Sequence, residues 1–230
     1  VEINRCFSIP NILVKVRIET LHSFNYIGKQ NCVEKMRFSE IKEILKEKTV
    51  GIAGCGGLGS NCAVALARVG VGKLIIADFD VIEESNLNRQ YFFYDQIGQS
   101  KAEALKSNIE KINPAVNLEA HVIKLEPQDI VRLFDKCDVI VEAFDKAEAK
   151  EMIIETVTCE MPGKPLVCGV GMAGWGGNEL IKVERYDNLY IVGDRESEAS
   201  QDNPPIAPRV GVVSNMMANV VLEVLLGKDK

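Results

Sequence analysis

Histidine is scarce in this chain: His22 and His121 are its only two. A hydride-transfer enzyme often sets a histidine or tyrosine acid beside its nicotinamide. His22 lies in an irregular stretch, however, and His121 lies in an apolar strand pattern where a core role fits better. The seven cysteines (Cys6, Cys32, Cys55, Cys62, Cys137, Cys159, Cys168) include no Cys-x-x-Cys, which excludes a zinc ribbon and a thioredoxin motif. Scattered thiols in odd number suit a reducing, cytoplasmic setting. No apolar run approaches the roughly 20 residues of a membrane-spanning helix, and a signal-peptide pattern is lacking. The expectation is a soluble cytoplasmic protein with no membrane role. A net charge of −6 argues against nucleic acid as the main partner.

Apolar residues, by contrast, make up 47% of the 230, enough for one large domain with a substantial core. From Met36 onward short β-branched runs alternate with helical patterns. Strands are expected at 48–53, 73–77, 118–124, 138–142 and 165–170. Leu58, Cys62, Ala65, Leu66 and Val69 mark a first helix, residues 99–113 and 146–160 two more, and 209–226 a last one. Residues 178–184 and 188–193 read as an antiparallel hairpin turning at Arg185-Tyr186-Asp187. This alternation predicts an α/β fold: a Rossmann-like, doubly wound, mostly parallel sheet with an antiparallel hairpin near the C-terminus. Residues 1–35 do not share the pattern, apart from a strand-like alternation over Ile12–Ile18, and are expected to form an N-terminal extension to a domain spanning 36–230.

The chemistry-bearing residues fall in order along that domain. Gly54-Cys55-Gly56-Gly57-Leu58-Gly59 follows a strand and opens a helix, where backbone N–H groups meet phosphate oxygens. Asp78, 19 residues beyond Gly59, is placed to accept from a ribose hydroxyl, with Asp80 close behind. These features alone suit NAD as well as ATP. The residues downstream favour ATP, whose cleavage needs cations against the triphosphate and an acid to hold Mg2+. Arg89, within Ser85-Asn86-Leu87-Asn88-Arg89-Gln90, and Lys101, within Gly98-Gln99-Ser100-Lys101, supply the cations. Asp145, just past the strand 138–142, supplies the acid at the carboxyl edge of the sheet.

These motifs together resemble the ThiF/MoeB/ubiquitin-activating superfamily, from about Met36 to Gly227. The compact length and Ala207-Pro208-Arg209-Val210-Gly211 look most like its short thiamin-biosynthesis ThiF group, the adenylyltransferases of the sulfur carrier ThiS. The resemblance implies that 36–230 is an ATP-binding adenylation domain that activates the C-terminal glycine of a small ubiquitin-like sulfur carrier. It implies ATP contacts from Gly54, Gly56, Gly57, Gly59, Asp78, Asp80, Ser85, Asn86, Asn88, Arg89, Gln90 and Lys101. The catalytic set would be Arg89, Lys101 and Asp145, with Mg2+ on Asp145. Two related readings stay open, a tRNA threonylcarbamoyl-adenosine dehydratase and a non-catalytic nucleotide-binding scaffold. Leu87, where the dehydratases tend to have Thr, counts against the first, and retention of both cations and the acid counts against the second.

Several departures from the superfamily's pattern shape further expectations. Lys146 stands where Asn often follows the acid, and the N-terminal arginine segment that reaches a neighbouring subunit is missing. The two Cys-x-x-Cys pairs of many relatives are absent, so no zinc is expected. The polar loop Asp194–Ala207 carries no cysteine, and Cys159 and Cys168 are expected to be buried structural thiols. The apolar pairs from Val212 to Leu225 exceed what one sheet face needs, which suggests a homodimer.

Overall fold

The computed structural model describes residues 35–227, together with the backbone of two short strands, β1 (Cys6–Ile9) and β2 (Ile12–Lys15). These pair antiparallel, with Ile9 opposite Ile12. The strand expected over Ile12–Ile18 thus meets β2. Residues 16–18 and most of the expected extension lie outside the described residues.

From residue 35 the elements follow as α1 (Phe38–Leu45), β3 (Thr49–Ala53), α2 (Gly57–Val69), β4 (Lys73–Ala77), α3 (Lys101–Ile112), β5 (Asn117–His121), α4 (Pro127–Phe134), β6 (Val139–Glu142), α5 (Ala147–Glu160), β7 (Leu166–Gly169), β8 (Lys182–Tyr186), β9 (Leu189–Gly193) and α6 (Ala207–Leu225). Seven strands form one sheet in the order β5-β4-β3-β6-β7-β9-β8, with only the β8–β9 pair antiparallel. Alternate strand residues serve opposite faces. Val50, Ile52, Leu74, Ile76, Val139 and Val141 pack towards α2, α3 and α6, while Ile75, Ile140, Leu166 and Cys168 pack towards α4 and α5. A sheet buried on both faces is the doubly wound arrangement that the alternation predicts. Gly51 makes room for one of the largest core side chains, since a methyl there would stand 2.5 Å from Phe134 Cδ1.

The chain runs outward from β3 to β4 and β5, then returns to place β6 on the other side of β3. The strand order therefore reverses between β3 and β6, and the crevice past their carboxyl ends is where folds of this kind take ligands. Every expected strand and helix has a counterpart, but three details differ. Of the expected strand 178–184, Asn178–Leu180 form a short 3-10 helix and β8 starts at Lys182. The hairpin turns at Asp187-Asn188, with Asp187 at φ 50°, while Arg185 and Tyr186 belong to β8. Helix α4 has no counterpart in the sequence expectation; it is eight residues long and starts on Pro127. On α6, Val213, Met217, Val220 and Val221 are buried within the chain, α2 being the helix it packs against most, and Val212 is exposed. At least one member of each apolar pair is thus used inside the chain.

Candidate active site

The site is built where β3 gives way to α2. Gly54 turns the chain with φ 94°, and its N–H donates to the Ala77 carbonyl at 2.8 Å. A methyl at Gly54 would lie 2.8 Å from the Ala143 carbonyl oxygen, and one at Gly59 would lie 1.9 Å from the Gly54 carbonyl oxygen. Gly54 is therefore required by close backbone packing against the turn after β6, and Gly59 by close packing against Gly54 itself. Gly56 and Gly57 serve differently. Gly56 is the N-cap of α2 and offers no side chain to the first-turn N–H groups. Those donors and the positive end of the helix dipole are left for an anion.

Asp78, at the end of β4, fastens the loop from the side. Its carboxylate accepts from Cys55 N–H at 2.6 Å and Asp80 N–H at 2.8 Å. Burial pushes its pKa above the usual 3.8, more strongly than these hydrogen bonds and the neighbouring Lys101 pull it down. Lys101 opens α3 and is strapped alongside, its N–H donating to the Asp80 carbonyl at 3.0 Å. Its Nζ pairs with Asp80 Oδ2 at 2.8 Å, and the lysine is only 7% exposed. Asp80, expected to face nucleotide, is thus the residue that holds Lys101.

The 85–90 segment lies over the first turns of α2. Asn61 donates to the Arg89 carbonyl at 2.9 Å, and Tyr91 N–H donates to Ser60 Oγ at 3.0 Å. The Arg89 stem runs across Gly57, whose hypothetical Cβ would sit 3.5 Å from Arg89 Cγ. Arg89 Nη1 donates to the Ser85 carbonyl at 3.1 Å and to Asn88 Oδ1 at 2.8 Å. Gln90 points its amide towards Gly56, and its buried Oε1 has no partner. Asn86 is buried and accepts from Glu83 N–H at 3.1 Å, which makes it a brace of the segment; Ser85 is exposed. Asn88 also meets the end of the polar loop Asp194–Ala207, the crossover loop from β9 to α6, donating to the Pro205 carbonyl at 3.2 Å and accepting from Ala207 N–H at 3.1 Å.

The opposite wall is the turn from β6 to α5. Asp145 is exposed there and forms no ion pair among the described residues. No three His, Cys, Asp or Glu side chains gather into a metal cluster among the described residues. A lone, unpaired carboxylate is a donor set that fits Mg2+ where phosphates and water complete its shell. Three groups escaped the sequence reading. Asn61 ties the 85–90 segment down. The buried pair Glu142–Lys150 lies beneath the Asp145 turn. The buried pair Asp194–Arg209 joins the two ends of the crossover loop. The signal for the second was a glutamate closing an otherwise apolar strand.

The thiols divide. Cys55, Cys62, Cys137 and Cys168 are buried, and burial raises all four, Cys62 and Cys137 to about 12. Cys159, expected to be buried, is exposed. It lies on α5 two residues past the buried Val157, which turns it to the opposite side of the helix.

A doubly wound sheet with a glycine-lined helix N-terminus at its switch point defines a ligand-binding α/β protein of the Rossmann type. Within that class the chain belongs to the ThiF family, whose model matches residues 29–230. It is 36% identical over 126 residues to a probable adenylyltransferase/sulfurtransferase MoeZ of Mycobacterium tuberculosis, covering 54% of this chain and 32% of that protein. It is 26% identical over 215 residues to the adenylyltransferase and sulfurtransferase UBA4 of Lodderomyces elongisporus, covering 90% of this chain and 47% of the relative. The chain thus spans about a third to a half of the length of these relatives. Among solved structures, the tRNA N6-threonylcarbamoyladenosine dehydratase TcdA of E. coli, in complex with ATP, shares the fold. Its TM-score is 0.73 at 20% identity, covering 82% of this chain and 90% of TcdA.

Proposed function

We propose that this chain is a carrier-protein adenylyltransferase, which joins AMP from ATP to the C-terminal glycine carboxylate of a small ubiquitin-like sulfur carrier. The observation that carries the reading is the fastening of the 85–90 segment over the N-terminus of α2. It sets the guanidinium-bearing Arg89 beside Gly57 at the switch point. The adenylyltransferase names of MoeZ and UBA4 support it. Within this reading the carrier is ThiS-like, the pathway is thiamin biosynthesis and the setting is the cytoplasm.

The chemistry asks little of acid–base groups. A carboxylate is ionised at neutral pH, so its oxygen attacks the α-phosphorus without a base. The α–β bridging bond breaks, and pyrophosphate leaves with the electron pair. The protein aligns the two reactants and stabilises the leaving charge. The open N–H groups of α2 receive phosphate oxygens, Asp78 accepts from the ribose, and Arg89 and Lys101 face the phosphates. Bound Mg2+, held through Asp145, would neutralise charge on the triphosphate.

The test is ATP–pyrophosphate exchange with purified protein. Exchange is expected to require a carrier ending in Gly-Gly and to vanish when the last glycine is deleted. Exchange driven instead by tRNA bearing threonylcarbamoyladenosine would move the chain to the dehydratase reading, and exchange with neither would leave only a nucleotide-binding scaffold.

A further inference from the structure

Glu142 closes β6 on the sheet face that Ile140 occupies two residues earlier, the face packed against α4 and α5. Its side chain is 0% exposed, so a full carboxylate sits in a layer that contains Phe134, Ile153, Ile154 and Val157. Burial of that kind costs several kcal/mol unless each oxygen is met by donors. Here both are. Lys150 Nζ, from α5, lies 2.9 Å from Oε1 and 3.0 Å from Oε2, and Phe144 N–H donates to Oε1 at 2.7 Å. The third ammonium proton goes to the Gly169 carbonyl at 2.8 Å. The ammonium is thereby saturated.

Replacing a buried ion pair by apolar residues of like size is often neutral or stabilising. What they would not supply are the two backbone contacts. Phe144 N–H belongs to the turn that carries Asp145, and Gly169 ends the neighbouring strand β7. The same turn presses on the glycine loop, with the Ala143 carbonyl against Gly54 and the Ala143 Cβ against Gly59. An error in the turn therefore moves Asp145 relative to the residues that would cradle the triphosphate. Nothing that touches ligand is needed for this effect.

We infer that Glu142 and Lys150 are positioning residues: a buried ion pair that holds the β6–α5 turn so that the Asp145 carboxylate meets metal-bound ATP at the N-terminus of α2. The inference rests on the function proposed above and deepens it. Groups that orient a metal ligand without touching the metal are commonly worth 10- to 100-fold in metal affinity.

The decisive variant is the double replacement Glu142→Leu with Lys150→Met, which removes both charges and fills the space. Calorimetry of ATP binding across a Mg2+ titration gives the Mg2+ concentration at which affinity is half-maximally raised. Asp145→Asn sets the scale for complete loss of that response. The double variant is expected to stay folded, with any fall in melting limited to the two unmet backbone groups, yet to need about tenfold more Mg2+. A folded double variant with the wild-type midpoint would overturn the inference, because a purely structural pair predicts that result. If the double variant does not fold, Glu142→Asp keeps the charge and withdraws it by one methylene from Phe144 N–H and Lys150. Its midpoint is expected to rise about threefold or more, on the same ground, and an unchanged midpoint would again overturn the inference. Failure of the function itself looks different: ATP affinity would ignore Mg2+ in wild type, or Asp145→Asn would respond like wild type.

Discussion

Arg89 and Lys101 are both cations aimed at phosphate in the proposed reaction, but they are held in different ways. Lys101 is buried against Asp80, whereas Arg89 lies across Gly57 with its guanidinium on a neighbouring carbonyl and amide. Replacement of either by Ala is expected to lower carrier-dependent pyrophosphate exchange by about 10²-fold, the scale of losing one preorganised electrostatic contact. Wild-type exchange rates in both folded variants would contradict the assignment. The cysteines make the complementary case. No thiol is needed to attack phosphorus, so Cys159→Ser and Cys168→Ser are expected to keep exchange at wild-type levels. Cys168→Ser should lose some stability, since it sets a hydroxyl in a fully buried site beside Glu142. A covalent carrier adduct that disappears with one of these substitutions would show that the thiol takes part.

Elements were legible in the sequence where burial was two-sided and the strands were short and β-branched, as in β3, β4 and β6. They were less legible at the margins. Helix α4 buries only Ile130 and Phe134, too few to establish a helical period. In β8 no residue is fully buried, so the edge position of Arg185 and Tyr186 resembled a turn. The glycines and cations proposed for the site could be picked out because phosphate chemistry needs them in a fixed order. The ion pairs could not, because nothing in a sequence states that a charge is buried. Asp194–Arg209 is the second example. Arg209 also donates to the Gly176 carbonyl, and Asp194 accepts from Glu196 and Ser197 N–H at 2.9 and 2.8 Å. Burial pushes the Asp194 carboxyl up, yet these hydrogen bonds outweigh it and hold it below the usual 3.8. An aspartate lowered in the folded state stabilises above its unfolded value, and that contribution is lost as pH falls through the folded one. Arg209→Met would leave Asp194 buried without its cation and is expected to cost about 3–5 kcal/mol in denaturant unfolding at neutral pH. A loss under about 1 kcal/mol, the range of an exposed pair, would show that the clasp is not formed in solution.

At the scale of the whole molecule, the order of the strands does most to bring the reaction together. Because β6 returns to the far side of β3, residues from 54 to 145 converge on one crevice, and the crossover loop reaches Asn88 from the C-terminal half. The two walls and the loop are thus contributed by one chain. The central claim is that a carboxylate oxygen of the carrier takes AMP from ATP in this crevice. Its most direct test is intact-mass spectrometry of a Gly-Gly-ending carrier after incubation with the protein, ATP, Mg2+ and a pyrophosphatase to draw the reaction forward. The expected result is a carrier heavier by one adenylate, with the added mass on its last glycine, formed about 10²-fold more slowly by Arg89→Ala than by wild type. A carrier of unchanged mass beside consumed ATP, or an adenylate placed on any other residue, would contradict it.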